Sequence, residues 1–294
     1  MKEMAKPLAT HQIRSLRWIR VLGGILTMMG GNPLAAELDR AEVRLEQKKI
    51  ALEKPIPSAK TLSPDTPIPD RNTYTPTSEY EPMTREGWQV LVWKGLLRNH
   101  PEIAQQTLKL LDYQLLQIRR TLPAAAVQML QKVRIWVEWE EGHHPCMAYH
   151  PSAGWLREHG MNPDKAKCVE IAHARNFLAW TKDQPWMVLH ELAHAYHDQF
   201  LPSGYNNPEI KAVYEAAMKA GLYQKVLFIR GGRRQAYAAR NPMEYFAELT
   251  EAYFGTNDFY PFVQGELREY DPAGFSLIEK LWGVREKPVG SRNP

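Results

Sequence analysis

The chain has 294 residues, 44% of them hydrophobic and 24% charged, with two cysteines and a formal net charge of +4. That length suits one large domain or two small ones, and the composition excludes collagen-like, disulfide-dense and wholly disordered classes. The charge is unevenly placed. Residues 1–36 carry Lys2, Lys6, Arg14, Arg17 and Arg20 against Glu3, so the whole excess lies there and the rest is balanced, 32 basic side chains against 32 acidic. Nucleic-acid binding thereby loses its compositional support.

The first 36 residues have the order of an export signal. Basic residues run to Arg20, an apolar stretch spans Val21 to Met29, and Gly30-Gly31-Asn32-Pro33 leads to the small pair Ala35-Ala36. The apolar run is well short of the ~20 residues that span a bilayer, and no other segment is apolar for long enough. A cleaved signal over 1–36 places the mature chain outside the cytoplasm, secreted or periplasmic, with no stable membrane insertion beyond that segment. An uncleaved anchor is the alternative. In an oxidising compartment Cys146 and Cys168 are expected to form a disulfide, against the alternative of two buried free thiols.

Residues 37–51 favour a short charged helix. Prolines 55, 57, 64, 67, 69, 76 and 82 follow, with Ser and Thr between them, so 37–82 reads as a helix and Pro-rich linker. The compact domain is expected over 83–294. Its opening GWQVLVW (87–93) alternates like a strand. Pro101 starts a helix to about Thr121 with Ile103, Leu108, Leu111, Leu115 and Ile118 on one face. A second helix runs from Ala124 to Gln131. VRIWVEWE (133–140) is the clearest strand, 141–163 reads as an aromatic-rich loop, and a third strand lies around Val169–Ala172. Helices are then expected from Asp183 to Phe200, Pro208 to Ala220, Pro242 to Phe254 and Pro272 to Trp282. Strands first and helices later make an α+β domain.

The sharpest motif is His190-Glu191-Leu192-Ala193-His194 within PWMVLHELAHAYHD. On a helix, residues i and i+4 stand one turn apart on one face, so both imidazoles reach one ion. Glu191 lies beside the first ligand, where it can take a proton from water that zinc activates. Trp186, Val188, Leu189, Leu192, Ala193, Ala195 and Tyr196 make the helix apolar, as a buried active-site helix is. Five side chains compete to complete the ligand set. His197 is seven residues after His190 but two turns away, which favours a supporting or structural role. Asp198 can ligate or orient. Downstream, Glu244, Glu248 and Glu251 share one stripe of a helix with Phe246, Ala247 and Leu249, where carboxylates are costly to bury unless a cation faces them.

The histidines His190 and His194 with Glu191, followed some fifty residues later by Tyr237 and, seven residues on, Glu244-Tyr245-Phe246-Ala247-Glu248, resemble the catalytic domain of anthrax lethal factor and its relatives. These are zinc metallopeptidases of the zincin class with a Glu as third ligand. The resemblance covers roughly residues 184–254 and extends weakly to VRIWVEW. It implies a zincin-like fold, a small mixed sheet over the HExxH helix and a mostly helical C-terminal part. It further implies one Zn2+ held by His190, His194 and Glu244, with Glu191 as general base. Tyr237 would donate to the oxyanion of the tetrahedral intermediate, and Glu248 would be hydrogen-bonded to a ligand histidine. His197, Asp198 and Ala238-Ala239 depart from the family pattern.

Among the other polar clusters, His143, His144 and His150 flank Cys146 and pose a second metal site against a plain structured loop. His173 near the third strand is a candidate for lining the cleft. Arg230, Arg233, Arg234 and Arg240 form a basic group that is either a solvated turn or a contact for an acidic substrate. The expected function is an exported zinc endopeptidase acting on protein or peptide. The rivals are a non-catalytic zinc-stabilised binding or scaffold protein, and a zinc amidase acting on cell-wall peptides.

Overall fold

The computed structural model describes residues 74–284. The signal segment, the charged helix and nearly all of the Pro-rich linker expected from the sequence lie outside the described residues.

Strands β1 (Tyr80–Arg85) and β2 (Trp88–Trp93) form an antiparallel hairpin, Tyr80 opposite Trp93 and Arg85 opposite Trp88. Its two-residue turn needs positive φ at both positions, met by Glu86 at 49° and Gly87 at 92°. The fold therefore starts before residue 83. Pro82, which reads as linker, lies on β1 at the edge of the sheet, where a missing N–H costs no ladder bond.

From β2 the chain crosses through α1 (Lys94–Asn99), α2 (Pro101–Thr121) and α3 (Ala124–Leu130) to β3 (Ile135–Val137), parallel to β2. The long helix has the predicted bounds. Ala104, Leu108, Leu111, Leu115 and Ile118 form its buried stripe, and Pro101 occupies its first turn. Next come β4 (Met147–Tyr149), α4 (Ala153–Glu158) and β5 (Val169–Ile171). The five strands lie in the order β1-β2-β3-β5-β4, with β5 parallel to β3 and β4 antiparallel to β5 at the far edge. β4 falls inside the stretch expected to be a loop. Three residues are too short for a period-two signal to register.

Six α-helices carry most of the remaining described residues: α5 (Ala174–Trp180), α6 (Met187–Phe200), α7 (Pro208–Lys219), α8 (Pro242–Phe254), α9 (Gln264–Tyr270) and α10 (Pro272–Leu281). Between α7 and α8 lies a short ribbon of β6 (Val226–Leu227) and β7 (Arg233–Arg234). The domain is thus α+β, a small mixed sheet with a mostly helical C-terminal part. One main core joins the inner face of the sheet (Val90, Val92, Ile135, Val137, Val169, Ile171) to the apolar sides of α2, α6 and α8. Trp282 closes it, stacked on Tyr196 at 4.1 Å and donating its indole N–H to Thr250 at 3.1 Å.

The expected Cys146–Cys168 disulfide is absent, and both thiols are free and buried. Strand register explains why. Cys168 pairs across the ladder with His150, while the carbonyl of Cys146 accepts from Ala172 at the other end. Four residues of strand, about 13 Å, separate the two, beyond the reach of a disulfide. Cys146 lies in the main core, its Sγ 3.3 Å from the Met187 sulfur, whereas Cys168 packs with Tyr80, Leu91 and Trp136 in a second cluster.

Candidate metal centre

Helix α6 is buried along Val188, Leu189, Leu192, Ala193 and Ala195, which fixes its rotation and turns His190 and His194 toward α8. Helix α8 is started by Asn241, whose side-chain oxygen accepts from the N–H groups of Met243 and Glu244, both at 2.9 Å, with Pro242 at the first position. That cap sets Glu244 in the first turn, where the helix dipole favours a carboxylate. The two helices are packed together.

The result is a triangle of ligand-type atoms. His190 Nε2 lies 3.1 Å from Glu244 Oε2 and 3.2 Å from His194 Nε2, and His194 Nε2 lies 3.3 Å from Glu244 Oε2. Ligands on a tetrahedral ion with bonds of ~2.0 Å stand about 3.3 Å apart, so the spacing fits one zinc. The protonation chemistry agrees. His190 Nδ1 lies 2.6 Å from Glu251 Oε1, which assigns the ring proton to Nδ1 and leaves a lone pair on Nε2. Three electron-pair donors then face one another, an arrangement that asks for a cation among them. Without a cation, protons take its place: the imidazole Nε2–H groups then donate to Glu244, and although burial pulls the His190 imidazole down, its hydrogen bonds to Glu244 and Glu251 outweigh burial and hold it well above the ordinary histidine range, so an ion binds there by displacing a proton. Burial would raise the Glu244 carboxyl, yet the charge of His194 and the hydrogen bonds to both histidines bring it well below the usual carboxylate range. His194 Nδ1 is buried and has no hydrogen-bond partner among the described residues.

A second grouping, His190 with Glu248 and Glu251, also brings ligand-type atoms together. Its chemistry is poorer. It would take the Nδ1 that is committed to Glu251. Glu248 is held by Asn257 Nδ2 at 3.1 Å, and burial together with Asp258 and Glu251 pushes its carboxyl far up, toward the neutral acid.

The remaining expected residues are placed as follows. Glu191 Oε2 accepts the backbone N–H of Tyr149 on the edge strand β4, at 2.8 Å. Tyr237 opens a 3-10 turn, Tyr237–Ala239, directly before α8. Its side chain is 42% exposed, with the Arg240 guanidinium 4.3 Å over its ring and hydrogen-bonded to its hydroxyl. Although the residue is partly exposed, its hydroxyl end is desolvated, and this with the nearby Glu244 carboxylate pushes the phenol's pKa further up from a value already above neutral pH. Glu248 is not the histidine's partner; Glu251 is. His197 is buried between Tyr205 and Phe246 and is lowered to about 4 by burial and by His194. Asp198 accepts from the Tyr149 hydroxyl and from Lys167, each at 2.6 Å, away from the triangle. His173 caps α5 through Asn176, and His150 is bonded to buried Glu170 at 2.6 Å. No grouping of metal type among the described residues includes His143, His144 or His150.

Sequence reading placed Glu251 on the acidic stripe without giving it a partner, and passed over the Tyr149 amide and Asn241. Glu251 had a signal, since seven residues after Glu244 returns nearly to the same helix face. The amide had none, because backbone hydrogen bonding between distant elements leaves no mark on residue type.

No family model and no curated protein matches the chain. Among solved structures it is similar to the Pro-Pro endopeptidase PPEP-2 from Paenibacillus alvei, at 20% identity and a TM-score of 0.36, over 65% of this chain and 95% of that one. At that level of likeness no residue of one chain is assigned from the other.

Proposed function

We propose that this chain is a zinc-dependent peptidase. The observation that carries the reading is the triangle of His190 Nε2, His194 Nε2 and Glu244 Oε2, at 3.1 to 3.3 Å, on two helices held in fixed register. Three protein ligands leave a tetrahedral ion one open position, the mark of a catalytic site and not of a closed structural one. Bound there, zinc would polarise a substrate carbonyl and lower the pKa of its water toward ~7.

The chain's own groups take the other roles. Glu191 is the base. With Oε2 fixed by the Tyr149 amide, Oε1 is the oxygen left to carry the proton from water to the leaving amine. Tyr237 keeps its proton and supplies an O–H to the developing oxyanion, while the Arg240 guanidinium donates to the same phenol oxygen without using that proton. Glu251 orients His190 and makes it a stronger ligand. The basic, apolar and small-residue order of residues 1–36 supports export, with the peptidase acting outside the cytoplasm on protein or peptide. No helix among the described residues is long and apolar enough to cross a membrane.

Replacing Glu191 by Gln removes the base and leaves the three ligands. The variant is expected to bind zinc as the wild type does and to lose about 10²- to 10⁴-fold in peptide hydrolysis. Undiminished hydrolysis by Glu191→Gln contradicts the mechanism.

A further inference from the structure

From Lys225 to Met243 the chain carries five cations (Lys225, Arg230, Arg233, Arg234 and Arg240) and no carboxylate. Three of the five are engaged within the protein. Arg230 grips Asp183 through two nitrogens, Arg234 lies 4.1 Å over the Phe228 ring, and Arg240 lies over Tyr237. Lys225 and Arg233 are exposed and form none of the ion pairs among the described residues.

Strand register puts these two on one surface. Leu227 faces Arg233 across the β6–β7 ribbon, and residues directly opposite in an antiparallel pair share a face. With a period of two, Lys225 and Ile229 lie on that face also, while Val226 and Phe228 turn inward and are buried. Leu227 and Ile229 are each 40% exposed. The outer face is therefore a short apolar strip flanked by two exposed cations.

The ribbon stands beside the triangle. The N–H of Ile229 bonds the carbonyl of Asp258 at 2.8 Å, and the Asp258 carboxyl accepts from Gln184 just before α6. Arg230 ties the ribbon's tip to Asp183 in the same segment. At its other end the ribbon runs through Ala236 into Tyr237 and the start of α8. It thus bridges the beginnings of the two helices whose first turns carry His190 and Glu244.

We propose that this face binds an acidic segment of the peptide substrate, apolar side chains resting on Leu227 and Ile229 and carboxylates reaching Lys225 and Arg233. Charge complementarity argues for that occupant, since the local surface is strongly positive although the charges of residues 37–294 sum to zero. The proposal rests on the peptidase reading and names its substrate class.

The test uses the zinc-loaded protein and the double variant Lys225→Glu/Arg233→Glu on a pooled random-sequence peptide library, with cleaved products read by mass spectrometry. The wild type should enrich Asp and Glu at a fixed distance from the scissile bond. The variant should lose that enrichment or shift it to Lys and Arg. On the best acidic peptide its kcat/KM should fall about tenfold, through KM and with kcat nearly unchanged. Both side chains are exposed, so zinc content and melting temperature should match the wild type. Cleavage without acidic enrichment, or enrichment that survives the double reversal, overturns this proposal alone. Failure of the wild type to cleave any peptide overturns the peptidase reading and this proposal with it.

Discussion

Glu251 does at the residue scale what the family resemblance implied for Glu248. Both lie on the stripe that faces α6, but a seven-residue step falls about 20° from the starting face and a four-residue step about 40°. The Glu251 carboxylate consequently meets His190 Nδ1 at 2.6 Å, while Glu248 turns to Asn257. Fixing the tautomer of a ligand histidine is worth roughly 10- to 100-fold in metal affinity. Glu251→Gln keeps the size and can still accept the hydrogen bond, yet loses the charge. Competition with a chromophoric chelator should show zinc affinity weakened by about 10-fold or more. Unchanged affinity would mean that Glu251 is a bystander.

At the scale of elements, the site depends on how α8 is seated. One side faces α6 and the other packs on α10, and Gly274 makes the second contact possible. A Cβ there would meet Leu249 Cδ2 at 2.4 Å, the Tyr245 hydroxyl at 2.6 Å and Asp271 Oδ2 at 2.7 Å. The same Asp271 oxygen accepts from the hydroxyls of Tyr245 and Tyr223, at 2.5 and 2.9 Å. Gly274→Ala should therefore force α10 off α8 and cost about 1–3 kcal/mol in urea unfolding, as overpacking of a dense core does. A loss below a few tenths would show that the contact yields freely.

The long elements were legible for physical reasons. The stripe of α2, the apolar flanks of α6 and the Pro242 start of α8 are written in residue type, because propensity and burial act through side chains. β4, the β6–β7 ribbon, α5 and α9 were not. Strands of two or three residues carry no period, and short helices are held by tertiary packing. The disulfide expectation failed for a related reason. Sequence separation says nothing of strand register, and register alone puts Cys146 and Cys168 at opposite ends of one ladder.

For the whole molecule, charge and function separate cleanly. The net +4 belongs to residues 1–36, and within the domain the charges that matter are local: carboxylates around His190, cations along the ribbon. In the proposed reading the carboxylates help to hold a metal ion and the cations an acidic peptide. The domain's central claim is the first of these. Zinc stoichiometry measured by elemental analysis after dialysis tests it directly, in the wild type and in Glu244→Ala, with circular dichroism confirming that both are folded. One zinc per chain in the wild type and its loss from the variant are the predicted result. A wild-type chain that holds no zinc, or a Glu244→Ala chain that retains it as tightly, would contradict the assignment.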